Sequence, residues 1–216
     1  MKYKYILFDL DGTITESKEG ITKSVQYALK KFGIIVESLD LLEKFIGPPL
    51  KYSFSEYFGF DENKSLEAVQ YYREYFEKKG IMENKVYDHI EDLLKQLKEL
   101  KLKLIIATSK PTKFSNIILN NFNLTSYFDA IVGSNMNGTR CTKGEVIKHV
   151  LEKYRINSDE AVMIGDRKYD MIGARQNNMD SIGVTYGYGS LEELKNENPT
   201  YIADSVMDIL NKVTQQ

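Results

Sequence analysis

The stretch that decides the fold is YILFDLDGT, Tyr5 to Thr13. Four apolar residues, Tyr5-Ile6-Leu7-Phe8, run without a spacer into Asp9, and a second carboxylate follows at Asp11 before Gly12. A short unbroken apolar run reads as a strand buried on both faces, and the glycine after it as a sharp turn. In an extended chain residues i and i+2 point to the same side, so Asp9 and Asp11 leave the strand end together. Two neighbouring anions repel and both favour water, so the pairing adds nothing to stability and needs a chemical reason.

Working outward, similar apolar runs recur at Leu102 to Ala107, Ala130 to Val132, Ala161 to Ile164 and Ser181 to Val184, with Tyr201 to Ala203 as a short sixth. Between the later runs lie stretches of helical period: Ile117, Ile118 and Leu119; then Val146, Ile147, Val150 and Leu151; then Val206, Ile209 and Leu210. Strand alternating with helix predicts an α/β fold, a Rossmann-like open parallel sheet with helices on both faces. Such sheets bind ligands at the carboxyl ends of their strands, where the strand order switches.

One connection is too long. About ninety residues separate Asp11 from Leu102, whereas a βαβ crossover needs about a dozen. A helix over Asp88 to Leu100, with Asp88 as N-cap, supplies the crossover. Residues 16–84 are then an inserted helical cap domain, and residues 1–15 and 85–216 the α/β core. The insert is rich in aromatics, among them Phe45, Tyr52, Phe54, Tyr57, Phe58, Tyr71, Tyr72, Tyr75 and Phe76. Gly47-Pro48-Pro49 breaks its helices midway, and Gly80 ends the last long one.

Composition narrows the function classes. The 216 residues carry a formal net charge of -2, without the basic excess of a nucleic-acid polymer or anionic-membrane binder. Cys141 is the sole cysteine, so no intramolecular disulfide forms, as suits a reducing compartment. The N-terminal apolar run breaks at Asp9 and no later run matches a bilayer, so the chain reads as cytoplasmic and unprocessed.

Four groups at strand ends or helix starts carry chemistry. Asp9 and Asp11 suit a nucleophile with an acid/base partner, or a divalent metal site. Gly165-Asp166-Arg167-Lys168-Tyr169-Asp170 places Asp166 at a strand end and Asp170 about one helical turn on. Four carboxylates around one point need a cation, and hard oxygen ligands favour Mg²⁺. Thr108-Ser109-Lys110-Pro111 closes the run LIIA ahead of a helix, where a hydroxyl and backbone N–H groups suit a phosphate. Lys143 opens a helix over Thr142 to Tyr154, where a cation opposes the macrodipole unless an anion sits beside it. Taken alone, each is an ordinary turn, cap or surface lysine. Their convergence on one sheet edge is what gives them weight.

With these residues in view, the sequence resembles the phosphatase branch of the haloacid dehalogenase superfamily. FDLDGTIT is similar to its first motif, ATSK to the second, Lys143 to the third-motif lysine and IGDRKYD to the fourth. IGPPLKYSF and YREYFEKKG resemble cap segments of its phosphoglycolate phosphatase-like and bacterial 5′-nucleotidase members. The resemblance implies that Asp9 attacks phosphorus to form an aspartyl-phosphate while Asp11 protonates the leaving alcohol and later activates water. It implies Mg²⁺ held by Asp9, the Asp11 backbone carbonyl and Asp166 with Asp170, and phosphoryl oxygens held by Thr108, Ser109 and Lys143. The expected substrate is a small phosphorylated metabolite, phosphoglycolate or a nucleoside 5′-monophosphate. A phosphomutase like β-phosphoglucomutase and a non-catalytic binding module on the same fold stay open, as do monomer and homodimer. Lys51 and Arg73, with Lys79, are the cap residues expected to meet a second anionic group. His89 and His149 read as structural, Cys141 as a bystander.

Overall fold

The structure is a computed structural model and describes residues 2–215. In chain order its main elements are β1 (Tyr5–Phe8), α1 (Lys18–Lys31), α2 (Leu50–Phe58), α3 (Glu62–Tyr75), α4 (Ile90–Glu99), β2 (Lys103–Pro111), α5 (Thr112–Asn121), β3 (Ala130–Ser134), α6 (Lys143–Tyr154), β4 (Ala161–Gly165), α7 (Lys168–Gln176), β5 (Asp180–Val184), α8 (Leu191–Asn196), β6 (Tyr201–Ala203) and α9 (Asp208–Thr214). The chain divides into two compact units, Met1–Glu16 with Val86–Gln216, and Ser17–Lys85.

In the first unit six strands form one sheet in the order β3-β2-β1-β4-β5-β6, with every neighbouring pair parallel. The chain builds outward from β1 through β2 and β3, then returns to β1's other edge for β4, β5 and β6. The strand order therefore switches at β1, the position where open α/β sheets place their ligands. Register is tight there: Phe8 lies opposite Ile106 of β2 and Ile164 of β4. Alternation sends Leu7, Ile105, Ala107 and Met163 to one face, where they pack with Val146, Ile147, Val150 and Ala174 of α6 and α7. Ile6, Phe8, Leu104 and Ile106 are equally buried on the opposite face.

Two local readings differ from the sequence expectation. Asp88 does not cap α4. His89 does, in a left-handed conformation (φ 65°), with its ring Nδ1 3.3 Å from Asp92 Oδ2. His89 is thus an exposed helix-entry residue outside the helical repeat. β2 also runs past Ala107 to Pro111, because the chain re-pairs beyond an irregularity: Pro111 lies opposite Ser134 of β3. Thr108, Ser109 and Lys110 therefore belong to the strand, and α5 starts only at Thr112.

The second unit is helical. Phe45 packs edge-on against Phe54 at 5.0 Å between ring centroids, and Phe54 stacks on Phe60 at 6.0 Å. These aromatics form the unit's own core, since Phe45, Phe54, Phe60, Tyr72 and Phe76 are all buried. Helix α3 widens into a π-helical turn over Phe76–Gly80 and ends there. Among the described residues no helix is long and apolar enough to cross a membrane.

Candidate active site

β1 ends in a pinned turn. Asp9 N–H donates to the Ile164 carbonyl at 2.9 Å, continuing the ladder one residue past the strand. Leu10 N–H donates back to Asp9 Oδ1 at 2.7 Å, which sets the plane of that carboxylate. The chain then reverses around the Leu10 carbonyl, which accepts from the N–H groups of Ile14 and Thr15, both at 2.9 Å. Gly12 makes the reversal with φ +83°, and a methyl group there would overlap the Asp166 carboxylate. Glycine is needed at this position on both counts.

The turn faces the start of α7. Asp9, Asp166 and Asp170 are all buried, and one carboxylate oxygen from each lies within 4.8 Å of the others. Asp170 is the third residue of α7. Its Oδ2 accepts Arg167 N–H at 3.1 Å, capping the helix, which leaves Oδ1 for the site. Lys143 joins the group from the first turn of α6, with Nζ 2.7 Å from Asp9 Oδ1 and 2.8 Å from Asp170 Oδ1. It also donates to the Ala107 carbonyl at 3.2 Å. The anion expected beside this helix-start cation is thus supplied by the protein's own carboxylates. Burial works against the Lys143 charge, but Asp170 and Asp9 outweigh it and hold the ammonium above its ordinary pKa. Asp166 is left worse off. Burial first, then the charges of Asp170 and Asp9, raise it well above the carboxylate range, against one backbone hydrogen bond from Tyr188. Burial likewise raises Asp170, although Lys143 opposes the shift.

Asp11 does not join this trio. Its carboxylate turns to Lys110, whose Nζ lies 2.9 Å from Oδ1 and 2.8 Å from Oδ2. The two side chains are only 5% and 11% exposed, so the pair is sheltered from solvent. Thr108 is buried too, but its hydroxyl accepts Lys110 N–H at 3.2 Å, and Ser109 is partly exposed. With β2 extended to Pro111, the Ser109 N–H stands on a strand and not at a helix N-terminus, the correction that the strand irregularity imposes.

Three groups that sequence reasoning missed complete the site. Lys110 is the first; its signal was a lysine at alternate spacing from Thr108 in an otherwise apolar strand. The second is the loop after β5, where Tyr188 N–H donates to Asp166 Oδ2 at 2.8 Å and Tyr186 OH to the Thr13 carbonyl at 2.9 Å. The alternation Tyr186-Gly187-Tyr188-Gly189 was its trace, because a methyl group at Gly187 would overlap Asp166 and the Gly12 carbonyl. The third is Glu193 of α8, which receives Arg167 Nε at 2.9 Å and Lys168 N–H at 2.9 Å. It ties the start of α7 to the helix that follows the loop. No long-range pairing of this kind can be read from local pattern.

The cap candidates are placed differently. Lys51 is exposed and ion-paired with Glu62 at 2.6 Å within its own unit. Arg73 is half-buried, and burial lowers its pKa, while Lys79 is exposed. Among the described residues His149 lies partly buried in α6 and Cys141 partly buried just before it.

The donor set fits a hard divalent cation. With all four ionised, as a bound cation would favour, Asp9, Asp11, Asp166 and Asp170 carry four negative charges against two from Lys110 and Lys143, all six side chains buried, which leaves two for a divalent cation to balance. The Asp170 Oδ1 accepts no well-directed hydrogen bond, and no histidine or cysteine stands in the trio. Carboxylate oxygens alone suit Mg²⁺ over softer metals.

Residues 6–184 match the model of a family described as haloacid dehalogenase-like hydrolase. A 5′-nucleotidase from Pseudomonas aeruginosa is 47% identical over 205 residues, 94% of this chain and 93% of its own. A phosphoglycolate phosphatase from Vibrio parahaemolyticus is 25% identical over 97% of this chain and 96% of its own. The crystal structure of a predicted phosphatase from Clostridium acetobutylicum superposes with a TM-score of 0.98 at 57% identity, covering all of both chains.

Proposed function

Since the chain belongs to the haloacid dehalogenase-like hydrolase family and is a phosphatase of it, we propose that it is a Mg²⁺-dependent phosphomonoesterase acting on nucleoside 5′-monophosphates through an aspartyl-phosphate at Asp9. The observation that carries the chemistry is the Asp9 carboxylate, 4% exposed, with Oδ1 tethered by Lys143 and the Leu10 N–H. A carboxylate so held presents its second oxygen in a fixed direction. The identity to a named 5′-nucleotidase supports the choice of substrate.

In the first step Asp9 Oδ2 forms a bond to phosphorus. The bond from phosphorus to the ester oxygen breaks, its electron pair stays on that oxygen, and the oxygen takes the proton of Asp11 in its acid form. In the second step water attacks the same phosphorus, Asp11 as carboxylate takes the water proton, and the phosphorus bond to Asp9 breaks. Inorganic phosphate and the free Asp9 carboxylate result. Lys143 places a positive charge beside the attacking carboxylate, which lets two anions approach. Thr108 and the Ser109 N–H are the hydrogen-bond donors assigned to the phosphoryl oxygens. Asp9, the Asp11 carbonyl, Asp166 and Asp170 would hold Mg²⁺, which when bound neutralises charge on the phosphoryl group.

The test is a panel of phosphate esters, including nucleoside 5′-monophosphates and phosphoglycolate, assayed with Mg²⁺ and with chelator. Metal-dependent turnover is expected, with the highest kcat/KM on a nucleotide. The Asp9→Asn variant should lose at least about 10³-fold in kcat while keeping its circular dichroism spectrum. Unchanged turnover in that variant overturns the mechanism. A preference for phosphoglycolate makes that ester the substrate instead, and an isomerised sugar phosphate product makes the protein a mutase.

A further inference from the structure

We propose that Lys110 is a positioning residue for the proton transfer, holding the Asp11 carboxyl group in the orientation from which it serves the leaving oxygen. The proposal rests on the phosphatase reading of Asp9 and Asp11 given above.

Three observations point the same way. Lys110 Nζ contacts both oxygens of Asp11, at 2.9 and 2.8 Å, so the ammonium fixes the plane of the carboxyl group. Both side chains are nearly excluded from solvent, at 5% and 11% exposure, where neither swings freely. The two lysines divide the work: Lys143 serves Asp9 and Asp170, while Lys110 serves Asp11. Lys110 stands inside the β2 irregularity between Ala107 and Pro111, and its N–H donates to the Thr108 hydroxyl at 3.2 Å within it.

An ammonium is compatible with both roles of Asp11. As acid, Asp11 keeps one carbonyl oxygen to accept from Nζ while its O–H turns to the leaving oxygen. As base, it keeps one contact while the other oxygen receives the water proton. Without the lysine the carboxyl group rotates about its side-chain bond, and the acid is present but unaimed.

Leaving-group dependence separates this role from phosphate binding or plain structural support. 4-Nitrophenolate leaves without a proton, whereas the alcohol of an alkyl phosphate needs one. The ratio kcat/KM ends at alcohol release and so excludes the hydrolysis step common to both esters. In the Lys110→Met variant, kcat/KM on the best alkyl phosphate of the panel should fall at least about 100-fold, the span of a general acid. On 4-nitrophenyl phosphate it should fall less than about fivefold. Equal losses on the two esters overturn the proposal, as does a variant with wild-type values on both. Should Lys110→Met fail to fold, Lys110→Gln keeps one donor toward Asp11 and is expected to shift the alkyl-to-aryl ratio at least about threefold; an unshifted ratio there overturns it too. Wild-type protein that hydrolyses neither ester would sink the phosphatase reading itself, a result distinguishable from either variant outcome.

Discussion

Asp166 should be a carboxylate that the metal-free protein is better off without. The perturbation is Asp166→Asn, which keeps the volume and the oxygen that accepts Tyr188 N–H. Asp166 faces Asp9 and Asp170 with oxygens within 4.8 Å; at that separation, one like-charge pair costs about 3.5 kcal/mol at an effective dielectric of about 20. Lys143 offsets roughly one of those two charges, leaving about 3 kcal/mol of net repulsion on Asp166. The new amide N–H₂ finds no acceptor made for it and returns about 1 kcal/mol. The variant should therefore be about 2 kcal/mol more stable in chelator, a rise of about 4–8 °C in Tm for a chain of this size. The sign with pH follows from the raised pKa of Asp166. Below the unfolded carboxyl pKa of about 3.9 the group is neutral in both states and the substitution changes little. The gain opens as pH rises past that value and is complete above the folded pKa. Added Mg²⁺ should then reverse the ranking, because it stabilises the wild type by binding and the variant much less. Scanning calorimetry with chelator and with Mg²⁺, at about pH 4 and about pH 8, reads all four values. An Asp166→Asn protein less stable than wild type in chelator near pH 8 refutes the reasoning.

Two further outcomes test the frame around the site. At Asp129 burial opposes ionisation, but hydrogen bonds from Lys98, Lys103 and Leu104 N–H outweigh it and lower the pKa to about 2. That depressed carboxylate contributes stability above the unfolded pKa and loses it as pH falls through the folded one. Asp129→Asn should thus cost about 1–2 kcal/mol near neutral pH, after discounting its partial exposure, and only a fraction of that near pH 2; a gap in urea midpoints constant over that range would refute it. Gly12→Ala should cost more than about 2 kcal/mol in urea unfolding, through its positive φ and the overlap with Asp166, and should blunt the Mg²⁺-dependent rise in Tm. A fully stable, metal-responsive Gly12→Ala would contradict the turn geometry.

The sheet was legible because its strands are apolar throughout. Leu7, Ile106 and Ile164 are buried by helices on both faces of the sheet, and that double burial writes itself as unbroken isoleucine- and valine-rich runs. The two local misreadings have a common cause. Thr108-Ser109-Lys110 looked like a helix approach because polar residues ended the apolar run, yet the backbone stayed extended by re-pairing with β3 beyond an irregularity. Asp88 looked like the cap because its side chain is the common choice, but the chain enters α4 through a left-handed His89. Both outcomes depend on where a distant segment lies, which local propensity does not record. The same limit hid Glu193 and Tyr188, which bond across 26 and 22 residues of sequence. The insert's aromatics were visible, but their mutual packing at Phe45, Phe54 and Phe60 was not.

The pair of carboxylates at Asp9 and Asp11 is tolerable because the fold gives each a separate cation. One residue of separation on an extended chain leaves both on the same side, where shared solvation would be poor. The two lysines come from elements that flank the turn, Lys143 from α6 and Lys110 from the end of β2, and each reaches a different aspartate. Separate partners give the two carboxylates different surroundings: Asp9 shares Lys143 with Asp170, whereas Lys110 contacts both oxygens of Asp11. With all four carboxylates ionised, the two charges left over belong to the side of the cluster holding Asp166 and Asp170, away from the Lys110–Asp11 pair. A divalent cation bound there would complete the neutralisation around Asp9 and, in the proposed mechanism, would leave the Asp11 carboxylate to the proton transfer.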